Sequence, residues 1–206
     1  MKQLTTPTNT HLGQETSESY TYLLVYATRE GQTREIIKTI SSVLESEGHT
    51  CHYLPLITGS ESIPALPKET KIIIGAPIHF GYHHCAVSKF INLNKAKLHC
   101  HQTAFFSVNL LARHKEKSTP NTNIYLQKFL KHQQFRPSIT EVFAGAVNYP
   151  KLGLMSKIAL LAIMKLTKGP TDTSQNHVFT DWRKVKSFAK DLSHWPKTAK
   201  HKRALI

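Results

Sequence analysis

Acidic side chains are scarce in this sequence, and long apolar runs are absent. Only 13 aspartates and glutamates stand against 27 lysines and arginines, so the formal net charge is +14. A charge of this sign favours an anionic partner: nucleic acid, a membrane surface or an acidic small molecule. No uninterrupted apolar run reaches about 18 residues, which argues against a transmembrane helix. The hydrophobic content of 40% still predicts a globular chain, and 206 residues suffice for one domain with a sizeable core.

Cysteines are few, and their spacing does not suggest a metal site. Cys51, Cys85 and Cys100 form an odd count without the spacing of metal ligands, so a reduced cytoplasmic chain is the simplest interpretation. The 13 histidines include the neighbours His83 and His84 but form no zinc-binding pattern. We therefore expect no metal and interpret the histidines as surface residues.

The two ends of the sequence differ in character from the part between them. Residues 1–19 lack the apolar core of a signal peptide, and we predict a disordered polar tail there. Residues 197–206 read as a basic C-terminal tail. The folded domain is predicted over residues 20–196.

Apolar strand-like runs alternate with helical patterns between these ends. Alternation of this kind predicts an α/β fold with a doubly wound, five-stranded parallel sheet and helices on both faces. The predicted strands are Tyr20–Ala27, Thr50–Leu56, Lys71–Ala76, Thr103–Asn109 and Thr140–Val147. The predicted helices are Thr33–Glu47, Ala86–Lys97, Asn121–Gln134 and Asp181–His194.

The loop Thr28–Thr33 lies between the first predicted strand and the first predicted helix. Ligands of doubly wound sheets bind at the carboxyl ends of strands, and a helix N-terminus there favours a phosphate. Gly31 allows the backbone to curl, and Thr28 and Thr33 supply hydroxyl donors. The nucleoside-triphosphate and dinucleotide glycine motifs are both missing. The alternative is an ordinary strand-to-helix turn with a threonine N-cap.

The spacing T-x-x-G-x-T after the first strand resembles the phosphate loop of the flavodoxin family. A longer ordered set of motifs resembles one branch of that family, the menaquinone-dependent protoporphyrinogen IX dehydrogenases of bacterial haem synthesis. These motifs are TREGQTREI, IGAPIHFGYHH, FFSVNLLAR, KSTPNTNIYLQKFL, FAGAVNYP and TDTSQNHVFTDW. The resemblance covers about Tyr22 to His194. The phosphate loop alone is a weak signal, whereas the ordered set is specific.

The resemblance implies FMN as the cofactor, held by three loops. The phosphate loop would consist of Thr28, Arg29, Glu30, Gly31, Gln32 and Thr33. One edge of the isoalloxazine would face Pro77, Ile78, His79, Phe80, Gly81, Tyr82 and His83. The other edge would face Ser107, Val108, Asn109, Leu110, Leu111 and Ala112. Phe80 or Tyr82 could stack on the ring, and loop packing is the alternative role for both.

The resemblance also implies the reaction: protoporphyrinogen IX is oxidised in two-electron steps through FMN, and menaquinone or ubiquinone reoxidises the flavin. Flavin carries the redox chemistry and the protein orients it. Arg29 and Arg113 are candidates for binding the substrate's propionates, since arginine can clamp a carboxylate bidentately. No catalytic acid or base is assigned. A flavodoxin-like electron carrier or general quinone reductase is the alternative, and a nucleic-acid-binding module is disfavoured because its sequence signatures are missing.

A segment between the fifth strand and the last helix exceeds a minimal flavodoxin, and we interpret residues 148–176 as an insertion. Within it, Lys151–Lys168 combines a lysine stripe with a broad apolar face that includes Leu160 and Ile163. This pattern is typical of a helix that lies on a membrane surface. We expect contact with the anionic cytoplasmic face of the bacterial inner membrane, where a quinone is available. The alternative is a helix packed on its own core.

Overall fold

The computed structural model describes residues 19–151, 153–166 and 169–196, and its centre is a parallel sheet. The five parallel strands are β1 Thr21–Tyr26, β2 Thr50–Pro55, β3 Lys71–His79, β5 Thr103–Asn109 and β6 Ile139–Ala144. Their order is β2-β1-β3-β5-β6, so the winding direction reverses between β1 and β3. The prediction of a doubly wound, five-stranded α/β fold is confirmed. The predicted tails are residues 1–19 and 197–206, and all of these residues except Ser19 lie outside the described part of the chain.

Helices cover both faces of the sheet. They are α1 Gln32–Ser46, α2 Cys85–Leu93, α3 Lys95–Cys100, α4 Ile124–Gln133, α5 Leu154–Leu166 and α6 Trp182–Ser193. Successive side chains of β1 lie on opposite faces of the sheet. Leu23 packs with α2 and α4 on one face, and Leu24 packs with α1 and α6 on the other. Because both faces are covered, β3 and β5 are built from continuous buried runs.

The helix predicted over Ala86–Lys97 is interrupted at Asn94, which is buried. Its side-chain amide donates to the carbonyl oxygens of Phe90 at 3.0 Å and Glu61 at 2.9 Å, and its Oδ1 accepts the N–H of Ile63 at 2.9 Å. Asn94 thereby fixes the segment between β2 and β3 against the helices. A side chain that competes for backbone groups in this way favours a helix boundary.

The strand predicted over Thr140–Val147 is also interrupted. At Gly145 the chain leaves the parallel sheet and continues as β7 Ala146–Asn148, which pairs antiparallel with β8 Asn176–Val178. The N–H of Gly145 donates to Asn109 O at 3.3 Å, and its carbonyl accepts the N–H of Phe179 at 3.0 Å. The two strands of this ribbon lie at the two ends of residues 148–176, the region that we interpret as an insertion, and α5 lies within it.

Helix α5 packs partly against the ribbon. Met164 is fully buried with Val147 and Tyr149, and half-buried Leu160 and Leu161 contact the same cluster. Met164 lies in the segment Lys151–Lys168, whose apolar face we predicted to include it and to contact a membrane; that prediction is wrong at Met164, which belongs to a core. Elsewhere on the helix, Met155 is 78% exposed and Ile158 is 54% exposed. The side chains of Lys151, Ile163 and Lys168, on which the prediction also drew, lie outside the described ones.

No helix in the described ranges combines the length and the apolar character that crossing a membrane requires.

Candidate functional site

A cleft of about 240 Å³ opens at the carboxyl edge of the sheet. Its walls are formed by strand ends and loops at the carboxyl ends of β1, β3, β5 and β6, by the first two residues of α1, and by one residue each from α4 and α5. The cleft lies beside the point between β1 and β3 at which the winding direction of the sheet reverses. Doubly wound sheets bind ligands at such a point. The loop positions predicted from the sequence therefore meet around one cavity.

The loop after β1 turns sharply into α1. Gly31 has φ +96°, in the left-handed region, and its N–H donates to the Oγ1 of Thr28 at 3.1 Å. Since Gly31 is the N-cap residue, no side chain caps the first amides of α1. Uncapped amides at a helix N-terminus are suited to an anion. Thr33 lies in the first turn and is buried.

The loop after β3 is a tight hairpin. Residues His79 and Tyr82 pair between β3 and a short antiparallel strand, β4 Tyr82–His83. The two residues between them both have positive φ, +48° at Phe80 and +84° at Gly81, as a type I′ turn requires. Left-handed backbone is strained for phenylalanine, and strain of this kind clusters at functional sites. The Phe80 side chain lies at the cleft and is 63% exposed.

A polar network lies beneath the cleft and joins these loops. The hydroxyl of Ser107 is 2.9 Å from His83 Nε2 and accepts from Asn109 Nδ2 at 3.1 Å. Asn109 Oδ1 in turn accepts the N–H of Ala112 at 3.0 Å and the side-chain amide of Asn123 at 3.3 Å. Ser107, Asn109 and Asn123 are buried. Satisfied buried networks rigidify what they connect, here the hairpin and the loop after β5.

Three imidazoles line the cleft: His79, His84 and His114. Partial burial, reinforced by the nearby positive charge of Arg29, lowers the pKa of His79 from its ordinary 6.5. His79 is therefore predominantly neutral at pH 7. The ring of His84 caps α2, since its Nδ1 accepts the N–H of Ala86 at 3.3 Å.

A cation and an apolar residue also line the cleft. The guanidinium of Arg113 donates to Leu110 O at 3.3 Å, and partial burial lowers its pKa while leaving it charged. Leu160 of α5 lines the same cavity. The lining of the cleft thus includes a positive charge from Arg113 and an apolar side chain from α5.

Most of the predicted site residues line this cavity. They are Thr28, Arg29, Glu30, Gln32, Thr33, Pro77, Ile78, His79, Phe80, Gly81, Val108, Asn109, Leu110, Leu111 and Arg113. Five predicted residues do not form its wall: Gly31, Tyr82, His83, Ser107 and Ala112. Gly31 shapes the loop instead, while His83, Ser107 and Ala112 belong to the network below. Tyr82 is 80% exposed outside the wall.

The cleft also contains residues that were not among the predicted site residues. They are His84, His114, Tyr125, Gly145, Ala146, Val147, Asn148 and Leu160. The run from Gly145 to Asn148 follows β6, so the rule that ligands bind at the carboxyl ends of strands could have identified it. Tyr125 and Leu160 lie within helices, and nothing in their local sequence indicates that they face the cleft.

Comparison with known proteins places the chain among relatives of similar length. A family model for the flavodoxin domain matches residues 23–174. Protoporphyrinogen IX dehydrogenase (quinone) of Escherichia coli K12 is 38% identical over 172 residues, which cover 84% of this chain and 94% of that protein. The enzyme of the same name from Leishmania major is 35% identical over 181 residues, covering 87% of this chain and 78% of that protein. Among solved structures, oxidised flavodoxin 1 of Bacillus cereus is 14% identical with a TM-score of 0.47, covering 85% of this chain and 99% of that one.

Proposed function

This chain belongs to the flavodoxin domain family, and from that premise we propose that it is a quinone-dependent protoporphyrinogen IX dehydrogenase that uses FMN. The observation that carries the proposal is the near full-length identity of 38% to a dehydrogenase of that name. The chain oxidises protoporphyrinogen IX to protoporphyrin IX, a step of haem biosynthesis, and passes the electrons to a menaquinone or ubiquinone.

The residues of the cleft fit FMN. The loop Thr28–Thr33 offers uncapped helix amides and threonine hydroxyls to a phosphate. The hairpin residues Pro77–Gly81 and the loop Val108–Leu111 line the same cleft and would hold the isoalloxazine, and the strained Phe80 would offer it an aromatic contact. When bound, FMN supplies the two-electron redox chemistry of the reaction. The protein's part is to bind, to orient and to exclude water.

The substrate's two propionates require cations at the mouth of the cleft. Arg113 is half-buried in its wall, held by the carbonyl of Leu110, and Arg29 extends from the phosphate loop. A partly desolvated guanidinium binds a carboxylate more strongly than a fully solvated one does. Arg113 is therefore the principal propionate-binding residue, and Arg29 the second.

The quinone is reached from the membrane surface through α5. Met155 and Ile158 lie one turn apart on this helix and expose apolar surface, while Leu160 of the same helix lines the cleft. Lys165 is exposed near the helix end. An exposed apolar strip with nearby lysines suits the boundary of an anionic leaflet. The protein is thus peripheral at the cytoplasmic face of the inner membrane.

Anaerobic turnover tests this function. The purified protein should carry a flavin absorption spectrum and should oxidise protoporphyrinogen IX when a menaquinone or ubiquinone analogue is present. A general quinone reductase would reduce the quinone with other donors but would not accept protoporphyrinogen. An electron carrier would hold FMN and turn over neither pair. Either of the last two results would replace the proposed function.

A further inference from the structure

His84 occupies two sites at once, because it is the N-cap residue of α2 and also lines the cleft. It immediately precedes α2, lines the cleft and caps the helix through Nδ1, which accepts the N–H of Ala86 at 3.3 Å. An accepting Nδ1 carries no hydrogen, so in the neutral ring the hydrogen is on Nε2. The cap therefore sets the tautomer and makes Nε2 a hydrogen-bond donor.

The backbone on both sides of this ring is fixed. The N–H of His84 donates to Pro77 O at 3.0 Å, which ties it to the end of β3. The preceding residue, His83, is bonded to Ser107 at 2.9 Å. A donor whose rotamer and backbone are both held in place loses little entropy when it binds a ligand.

Capping alone does not account for a histidine at this position. Serine, threonine, aspartate and asparagine are the preferred N-cap residues, and each is shorter than an imidazole. A histidine performs the cap with one nitrogen and retains a second polar atom. That second atom is a neutral N–H donor, which suits a carbonyl or imine acceptor of a conjugated ring better than a phosphate, for which cations and helix amides are available.

We propose that His84 donates a hydrogen bond from Nε2 to an acceptor atom of the isoalloxazine bound in the cleft, an inference that rests on the proposed function. Reduction adds electron density to this ring, and a fixed donor stabilises the electron-rich form more than the oxidised form. His84 therefore raises the midpoint potential of the bound flavin. This makes the flavin a better oxidant for the porphyrinogen.

Three variants distinguish the proposed role of His84 as a hydrogen-bond donor to the flavin from its role as the N-cap of α2. His84→Ala removes both, whereas His84→Asn restores a capping acceptor but is too short to extend as far into the cleft. His52→Asn makes the same chemical change on the exposed edge strand β2 and serves as the control. FMN dissociation constants come from flavin fluorescence, potentials from spectroelectrochemistry and stability from thermal unfolding.

We expect His84→Asn to change flavin binding without changing the stability of the protein. His84→Asn should unfold at the wild-type temperature, yet bind oxidised FMN about 3- to 10-fold more weakly, as expected for the loss of one hydrogen bond. Its midpoint potential should be more negative than that of the wild type. His84→Ala should lose both stability and affinity, and His52→Asn neither. Wild-type affinity and potential in His84→Asn would overturn the inference and leave only a capping role.

Imidazole ¹⁵N spectra give a second test that does not need flavin. In the FMN-free protein His84 should show a hydrogen on Nε2 and none on Nδ1, and addition of FMN should shift the Nε2 signal. A hydrogen on Nδ1 would overturn the inference, as would an Nε2 signal that FMN leaves unchanged. Failure of the wild-type protein to bind FMN would instead overturn the proposed function.

Discussion

The Nε2 atom of His83 lies 2.9 Å from the hydroxyl oxygen of Ser107, and this hydrogen bond joins β4 to β5 beneath the cleft. The imidazole also packs on Phe129, with ring centroids 4.3 Å apart. Burial lowers the pKa of His83 from its ordinary 6.5 to about 3. A neutral, partly buried histidine thus supports the hairpin that carries Phe80.

The lowered pKa of His83 should make the free energy of unfolding depend on pH. Because its pKa is lower in the folded protein, the unfolded chain binds more protons below pH 6.5. Stability is therefore lost as pH falls from 6.5 towards 3, with a slope of at most about 1.4 kcal/mol per pH unit from this group. Denaturant unfolding at several pH values should show a flatter profile for His83→Phe than for the wild type. Ser107→Ala, which keeps the imidazole, should retain the wild-type steepness; parallel profiles for all three proteins would contradict this prediction.

Replacing Phe80 should stabilise the protein and weaken its flavin site. Phe80→Asn places a residue that tolerates φ +48° before Gly81, and asparagine followed by glycine is favoured in type I′ turns. We expect the free energy of unfolding to rise by about 1 kcal/mol. FMN affinity should fall about 3- to 10-fold through loss of the aromatic contact, whereas Phe80→Tyr should keep it. Unchanged FMN binding in Phe80→Asn would show that Phe80 serves only loop packing.

The phosphate loop can be tested with two glycines that share a conformation. Gly31 has φ +96° and Gly48 has φ +85°, at opposite ends of α1. Gly31→Val and Gly48→Val should both lower stability, because a β-branched residue is strained at positive φ. Only Gly31→Val should lose FMN in an equilibrium dialysis measurement. Retention of wild-type affinity would place the phosphate elsewhere.

Propionate recognition by Arg113 should appear in the Michaelis constant. Arg113→Ala should raise this constant for protoporphyrinogen about tenfold or more, since charge-assisted contacts contribute about 1.5–3 kcal/mol. FMN content should stay at the wild-type level. Lys115→Ala, at an exposed position outside the cleft wall, is the control. If Arg113→Ala and Arg29→Ala both leave the constant unchanged, neither arginine binds the substrate.

Membrane contact should depend on the exposed strip of α5. Met155→Glu combined with Ile158→Glu should abolish binding to anionic liposomes at high salt, where hydrophobic contacts remain and Coulomb attraction is screened. The variant should keep FMN and reduce a water-soluble acceptor, yet lose turnover with a long-tailed menaquinone. The control is Ile57→Glu combined with Leu93→Glu, which introduces the same two negative charges at exposed apolar residues outside α5. Equal liposome binding by both double variants and the wild type would show that α5 does not contact the membrane.

The sequence by itself determined the layers of this protein and indicated the edge of the sheet at which the cleft opens. Continuous β-branched runs such as Ile72–Ile74 predict strands covered on both faces, and the first glycine after β1 predicts the curled loop. Both predictions depend only on local periodicity and on the freedom of the backbone. Tertiary structure decided which side chains enter the cleft. His83 turns to Ser107, Met164 joins the core beside Tyr149, and Tyr125 faces the cavity from a helix, since each direction depends on hairpin geometry and on neighbours distant in the sequence.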